Sequence, residues 1–287
     1  MTQALNFYHD HFGLHERPFA LAPDPEFLFW SPEHRGAYAM LDYGLGTRSP
    51  ITLLTGEIGA GKTTLVHHFI DGLDDDVTIG LIANARPGVN DVLRRVCAAL
   101  SLTVVPGADS SDLFAEIQTF LIGQHKLGRR VLLIIDEAQN LTRDALEDLR
   151  MLTNINSGRD EVLQLLLVGQ PELRAMVRRP DLVQFAQRVA ASYHLPRLDV
   201  ASTGGYIASR IKRAGGNPGI FSRQAAELVH EATNGVPRLI NQLCDLALTY
   251  AFAENAQMVK RDTVARVLAD GVFFGAADPA DPPSTSA

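Results

Sequence analysis

Cysteine is nearly absent from this chain. Only Cys97 and Cys244 occur among 287 residues, and they form no Cys-x-x-Cys pair. That argues against a disulfide framework and a cysteine-built zinc site, and it fits a reducing compartment. Long apolar runs are missing too. None approaches the roughly 18 residues of a membrane-crossing helix, and the run at 163–168 is strand-sized and interrupted by Gln164. The N-terminus has no basic stretch followed by an apolar core, so no secretory signal is read there. The expectation is a cytoplasmic chain without a membrane span, able to sit peripherally at the inner membrane. Positive charge is also scarce: 26 Lys and Arg face 33 Asp and Glu, a formal net charge of −7. A broadly basic face for nucleic acid is thereby disfavoured. Arg94-Arg95, Arg129-Arg130 and Arg178-Arg179 read as solvated helix ends. The histidines His9, His11 and His15 sit in irregular chain and do not read as a metal site.

What is present is a glycine-rich loop in a telling place. Gly56-Glu57-Ile58-Gly59-Ala60-Gly61-Lys62-Thr63 fits Gly-x-x-x-x-Gly-Lys-[Ser/Thr]. The apolar, β-branched run 51–55 before it reads as a buried strand, and the segment from Thr64 onward reads as a helix. Glycines let consecutive backbone N–H groups turn inward around a phosphate, and the helix N-terminus adds partial positive charge. Residues 56–64 are thus the expected nucleotide-binding set. Lys62 would reach the β- and γ-phosphates, and the Thr63 hydroxyl would ligate Mg²⁺.

Strand-sized runs then alternate with helical segments. The expected strands are 51–55, 77–82, 131–135, 163–168 and 192–195. The expected helices are 62–72, 89–100, 110–125 and 142–156. This alternation predicts an α/β fold with a parallel sheet covered by helices on both faces. Beyond 200 the pattern turns purely helical, with segments 200–214, 222–233, 237–253 and 261–270 parted by turn signals such as Asn234-Gly235. The expected division is a lead-in at 1–50 packed on the core, an α/β ATP-binding domain at 51–199, a helical lid at 200–273 and a disordered tail at 274–287.

Further chemistry follows the strands. Asp136-Glu137 directly succeeds the apolar strand 131–135, where ligands bind in open α/β sheets. Asp136 is expected to hold Mg²⁺, and Glu137 to polarise the attacking water. Gln170 follows strand 163–168, where it would contact the γ-phosphate or the water; the competing reading is a turn residue before Pro171. Arg188, just before the fifth strand, reads as an arginine that enters a neighbour's site, against the alternative of a surface salt bridge. Arg238, in Gly235-Val236-Pro237-Arg238, falls in the first turn of a lid helix and reads as a sensor of the γ-phosphate.

Together these residues resemble the AAA+ ATPases of the ExeA/GspA type, associated with type II secretion, and the similar ATPases of exosortase and exopolysaccharide clusters. The likeness extends over about 7–270. It includes Phe12-Gly13-Leu14, Arg17-Pro18-Phe19, Ser31-Pro32-Glu33-His34-Arg35, Ile135-Asp136-Glu137-Ala138-Gln139-Asn140-Leu141, Leu167-Val168-Gly169-Gln170-Pro171-Glu172-Leu173 and Gln187-Arg188-Val189. The resemblance implies a P-loop sheet of strand order 5-1-4-3-2 with a helical lid. It implies ATP and Mg²⁺ as ligands, and a homo-oligomer, often a ring, in which Arg188 acts on the neighbouring site. A protein partner, membrane-associated in secretion or envelope systems, is the expected load. Transposition-accessory ATPases of the MuB/TniB type, which bind DNA, are the more distant alternative. Secretion members continue into a membrane-spanning helix and a peptidoglycan-binding domain. This chain instead ends in a polar tail, so the expectation is a member without those parts, or a truncated one.

Overall fold

A computed structural model describes residues 8–22, 24–83, 92–158 and 160–275. Along the chain run the short helix α1 (His9–Phe12), α2 (Pro32–Gly46), β1 (Ile51–Gly56), α3 (Lys62–Asp71), β2 (Val77–Ile82), α4 (Val92–Ala99), α5 (Ser110–Lys126) and β3 (Arg130–Ile135). Next come α6 (Arg143–Leu152), the two-residue strands β4 (Asn156–Ser157) and β5 (Asp160–Glu161), β6 (Gln164–Gly169), α7 (Pro171–Val177), α8 (Val183–Ala186) and β7 (Val189–Leu195). The described chain closes with α9 (Val200–Arg213), α10 (Arg223–Thr233), α11 (Pro237–Ala253) and α12 (Arg261–Ala269). The expected tail, 274–287, lies almost wholly outside the described residues, as does the start of the helix expected at 89–100.

The chain divides into two compact units. One, Pro32–Glu57 with Leu65–Leu195, is α/β. Its five-stranded sheet has the order β2-β3-β6-β1-β7, and all four pairings are parallel. The inner strands explain their sequences. Every residue of β1 and β6, and every residue of β3 after Arg130, is buried, because both faces of the sheet are covered. Beside them α4, α5 and α6 bury Val96, Cys97, Ile117, Leu121, Leu146, Leu149 and Leu152. Each such side chain contributes about 1.5–3 kcal/mol of transfer free energy. Gln164, which interrupts the apolar run, is only 5% exposed. Its amide donates to the carbonyls of Gly44 (3.0 Å) and Leu45 (3.2 Å), closing the C-terminal end of α2 against β6.

α6 stops at Leu152, earlier than the expected 156, since the Thr153 hydroxyl caps back onto the Arg150 carbonyl. β7 begins at Val189, earlier than the expected 192, where it pairs with Ile51.

The other unit joins residues up to Ser31, the loop segment Ile58–Thr64 and everything from Pro196. It is helical, with a core of Ile207, Ile211, Val229, Ile240, Leu243, Cys244, Leu248, Val264 and Val267. The lead-in belongs here as far as Ser31: Tyr8, Phe12, Leu14 and Phe19 enter this same core, whereas α2 belongs to the α/β unit. Polar contacts fasten the lead-in. Tyr8 donates to Asp245 (2.6 Å), which also accepts from Arg17 Nε (2.9 Å). Burial and the Asp245 carboxylate push the Tyr8 phenol well above its ordinary range. The buried Arg210 donates to the Pro18 carbonyl and lies over the Phe27 ring at 4.5 Å. Asp199 and Ser222 cap α9 and α10 through their side chains, and Pro237 opens α11 at a position where its missing N–H costs nothing.

Candidate functional site

The sheet order sets the chemistry in the α/β unit. β3, β6 and β1 are neighbours and parallel, so their C-terminal ends lie side by side. Asp136 follows β3, Gln170 follows β6, and Gly56 ends β1. Asp136 donates its backbone N–H to the Ile82 carbonyl (3.0 Å), and its carboxylate accepts the Glu137 N–H at 2.8 Å. Glu137 adopts a left-handed backbone, φ 55° and ψ 37°, uncommon for a side-chain-bearing residue. Its Oε2 accepts two side-chain amides, from Gln139 at 2.5 Å and from Gln170 at 3.2 Å. Gln139 in turn accepts the Gln170 backbone N–H at 3.1 Å. The structure thus brings Glu137 and Gln170 into contact. It adds Gln139, for which the sequence alone signals no role.

The phosphate-loop segment Ile58–Thr64 belongs to the helical unit. Gly59 and Gly61 have φ of 76° and 96°, conformations that glycine adopts freely. Ala60 is buried, Ile58 is 61% exposed, and Lys62, at the start of α3, is only 7% exposed. Thr63 and Thr64 are half-buried in the first turn of that helix, and Glu57 is half-buried ahead of the loop. Arg238 lies against this loop. Its backbone N–H donates to the Gly59 carbonyl at 3.3 Å. A methyl built on Gly59 would stand 2.7 Å from Arg238 Cβ and 3.2 Å from Val236 Cγ1. Glycine is therefore needed at 59 twice over, for its conformation and for the approach of α11.

Arg188 is elsewhere. It precedes β7, whose Val189 pairs with Ile51 and whose Leu195 pairs with Gly56. Seven residues of strand put Arg188 about 20 Å from the C-terminal end of the sheet. Its guanidinium donates to the Thr153 carbonyl (3.1 Å) and lies 3.7 Å from Glu161. Burial raises the Glu161 carboxyl, against a smaller lowering by the Arg188 charge. Arg188 is therefore not brought to Glu137 or Gln170 of its own chain.

The donors suit a magnesium nucleotide. Two left-handed glycines and a helix start form a backbone cradle for phosphate. Hydroxyl and carboxylate oxygens, the groups that Thr63 and Asp136 carry, are of the hard kind that Mg²⁺ takes.

Residues 47–177 match the family model described as an AAA domain. General secretion pathway protein A of Aeromonas hydrophila is 38% identical over 252 residues, 88% of this chain and 46% of that protein. The chain thus spans about half the length of that relative. Among solved structures, the Aeropyrum pernix ORC2 protein is similar with a TM-score of 0.63 at 19% identity, covering 89% of this chain and 71% of that one. CDC6P from Pyrobaculum aerophilum is similar with a TM-score of 0.67 at 15% identity, covering 91% and 72%. At such identities these two show the fold alone. No helix among the described residues is long and apolar enough to cross a membrane.

Proposed function

We propose that this chain, an AAA+ protein of the ExeA/GspA type, hydrolyses ATP to ADP and phosphate and drives a secretion or envelope assembly with the energy. The observation that carries the reading is the hydrogen-bonded Glu137–Gln170 pair beside Asp136, after β3 and β6, of which β6 adjoins the strand that enters the phosphate loop. The loop alone speaks for nucleotide. A carboxylate held by amides at the ligand-binding end of the sheet adds a group that can accept a proton from water.

Each residue then has a task. The backbone of residues 56–61 cradles phosphate, and Lys62 adds a fixed positive charge. Glu137 orients water and takes its proton, and Gln170 donates toward the γ-phosphate or the water. Thr63 and Asp136 would hold Mg²⁺, which when bound would supply charge compensation on the phosphate oxygens. Arg238, whose backbone touches Gly59, links the state of the loop to α11, and through it to movement of a lid made of 200–273 against an ATP-binding domain of 51–199. Arg188 stands about 20 Å from the C-terminal end of its own sheet, which supports a role in a neighbour's site within a homo-oligomer. The partner is a protein of a secretion, envelope, exopolysaccharide or exosortase system, met in the cytoplasm at the inner membrane.

Substitution Lys62→Ala tests the reading. Steady-state ATP turnover should fall by at least about a hundredfold, as when a preorganised charge is removed from a transition state. Turnover at the parent rate would end the assignment.

A further inference from the structure

Gln139 carries an arrangement that the proposed roles leave unexplained. It lies two residues beyond Glu137, in the short turn Ala138–Asn140, and reaches across to the chain after β6. Its amide group is used at both ends. Nε2 donates to Glu137 Oε2 at 2.5 Å, while Oε1 accepts the Gln170 N–H at 3.1 Å. Only this orientation works: turned over, the amide would set its oxygen against a carboxylate and its NH₂ against an N–H. A second feature points the same way. A methyl built on Gly169 would stand 2.8 Å from Gln139 Oε1 and 2.9 Å from Leu173 Cδ2. The residue before Gln170 must therefore stay small for the Gln139 amide to seat.

The carboxylate that Gln139 grips sits on a left-handed backbone, which fixes where its side chain begins. Two amides then fix where it ends, and both converge on one oxygen. Oε2 is thereby saturated, and Oε1 has neither of these amides on it. Because Gln139 also holds the Gln170 backbone, a shift of Gln170 is carried to Glu137 by two hydrogen bonds in series as well as by the direct one.

We propose that Gln139 is a positioning residue: it orients the Glu137 carboxylate and couples it to Gln170, so that displacement of Gln170 by a γ-phosphate is felt at the general base. This deepens the ATPase reading and rests on it.

The test uses the full chain and Gln139→Met, which keeps length and packing but loses both hydrogen bonds. The expected result is a kcat lowered about tenfold or more, in line with the sensitivity of catalysis to small misplacements. Affinity for a non-hydrolysable ATP analogue should stay within about twofold, and the melting temperature near the parent's, because Gln139 holds no phosphate. Gln170→Ala combined with Gln139→Met should cost less than the product of the single effects, since both act on one oxygen. An independent readout needs no turnover: in the nucleotide-free protein, Glu137→Ala should move the Gln139 side-chain amide resonance. Parent-like kcat in Gln139→Met, equal loss of kcat and affinity, or an unmoved amide resonance would each overturn the proposal. A native chain without ATP turnover would instead overturn the ATPase reading, with the amide shift still reporting whether the contact exists.

Discussion

The phosphate loop and the carboxylate end of the sheet are built from different materials. The loop is backbone: its defining features are two left-handed glycines, a helix start and the close approach of Arg238 to Gly59. The carboxylate end is side chain: Glu137, Gln139 and Gln170 meet through amide and carboxylate groups from two strands. A backbone device tolerates varied side chains but not a changed conformation. A side-chain device is the reverse, holding its backbone by the sheet and its function by a few atoms. Substitutions should therefore fail in different ways in the two places.

The sharpest contrast comes from Glu137→Gln. It preserves size and the strands beneath, and removes only the ability to take a proton. Turnover should fall about 10²- to 10⁴-fold. Nucleotide affinity should change by no more than a few-fold, because the loop is untouched. A parallel loss of affinity in equilibrium binding would show that Glu137 serves ground-state binding, and the division of labour would break.

Gly59→Ala is the counterpart in the loop. It adds one methyl and no chemistry. The left-handed conformation costs a non-glycine residue about 1–2 kcal/mol, and the new methyl would meet Arg238 and Val236. Strain of that size, if taken from the bound state, weakens nucleotide affinity by about 5- to 30-fold. Here affinity should fall first, with turnover at saturating ATP less affected. A kcat effect without an affinity effect would mean that the loop is adjusted in the transition state rather than preformed.

The same difference decides what could be read in advance. The loop was legible because its requirements are local: glycines at fixed spacing, then lysine and threonine at a helix start. Strands β1, β3 and β6 were legible because burial on both faces leaves continuous apolar runs. β7 was only partly visible. As an edge strand it exposes Ala190 and Ser192 and half-exposes Val189, so neither a continuous apolar run nor a matching alternation marks where it begins. The leucine spacing of α6 continues to Ile155, which is buried from a turn after the helix has closed at Thr153, so the periodicity outruns the helix. α7, with seven residues, is too short to announce itself by periodicity. Gln139 carries no local signal of its task. Its partner Gln170 is 31 positions away, and only the parallel pairing of β3 with β6 makes them meet. The one local hint was a glycine before Gln170, whose meaning depends on that same meeting.

The smallest effect is the most exacting check on a loop made of backbone. Ile58 sits in the middle of the motif, yet its side chain is 61% exposed and so has little packing to lose. Neighbouring Gly59 and Gly61 carry the left-handed turns, and in the proposed cradle Ile58 would offer its backbone N–H whatever its side chain. Ile58→Ser should leave both nucleotide affinity and turnover within about twofold of the parent, the range of most surface substitutions away from special features. Measured beside Gly59→Ala, it places a net loss of two side-chain heavy atoms that should do almost nothing next to a one-carbon addition that should do much. If Ile58→Ser instead weakens turnover strongly while affinity holds, the exposed side chain meets something other than nucleotide. A neighbouring copy in a homo-oligomer is the surface to test, by repeating the assay across protein concentrations: a defect that fades as concentration rises marks an assembly contact, and a constant one marks the loop itself.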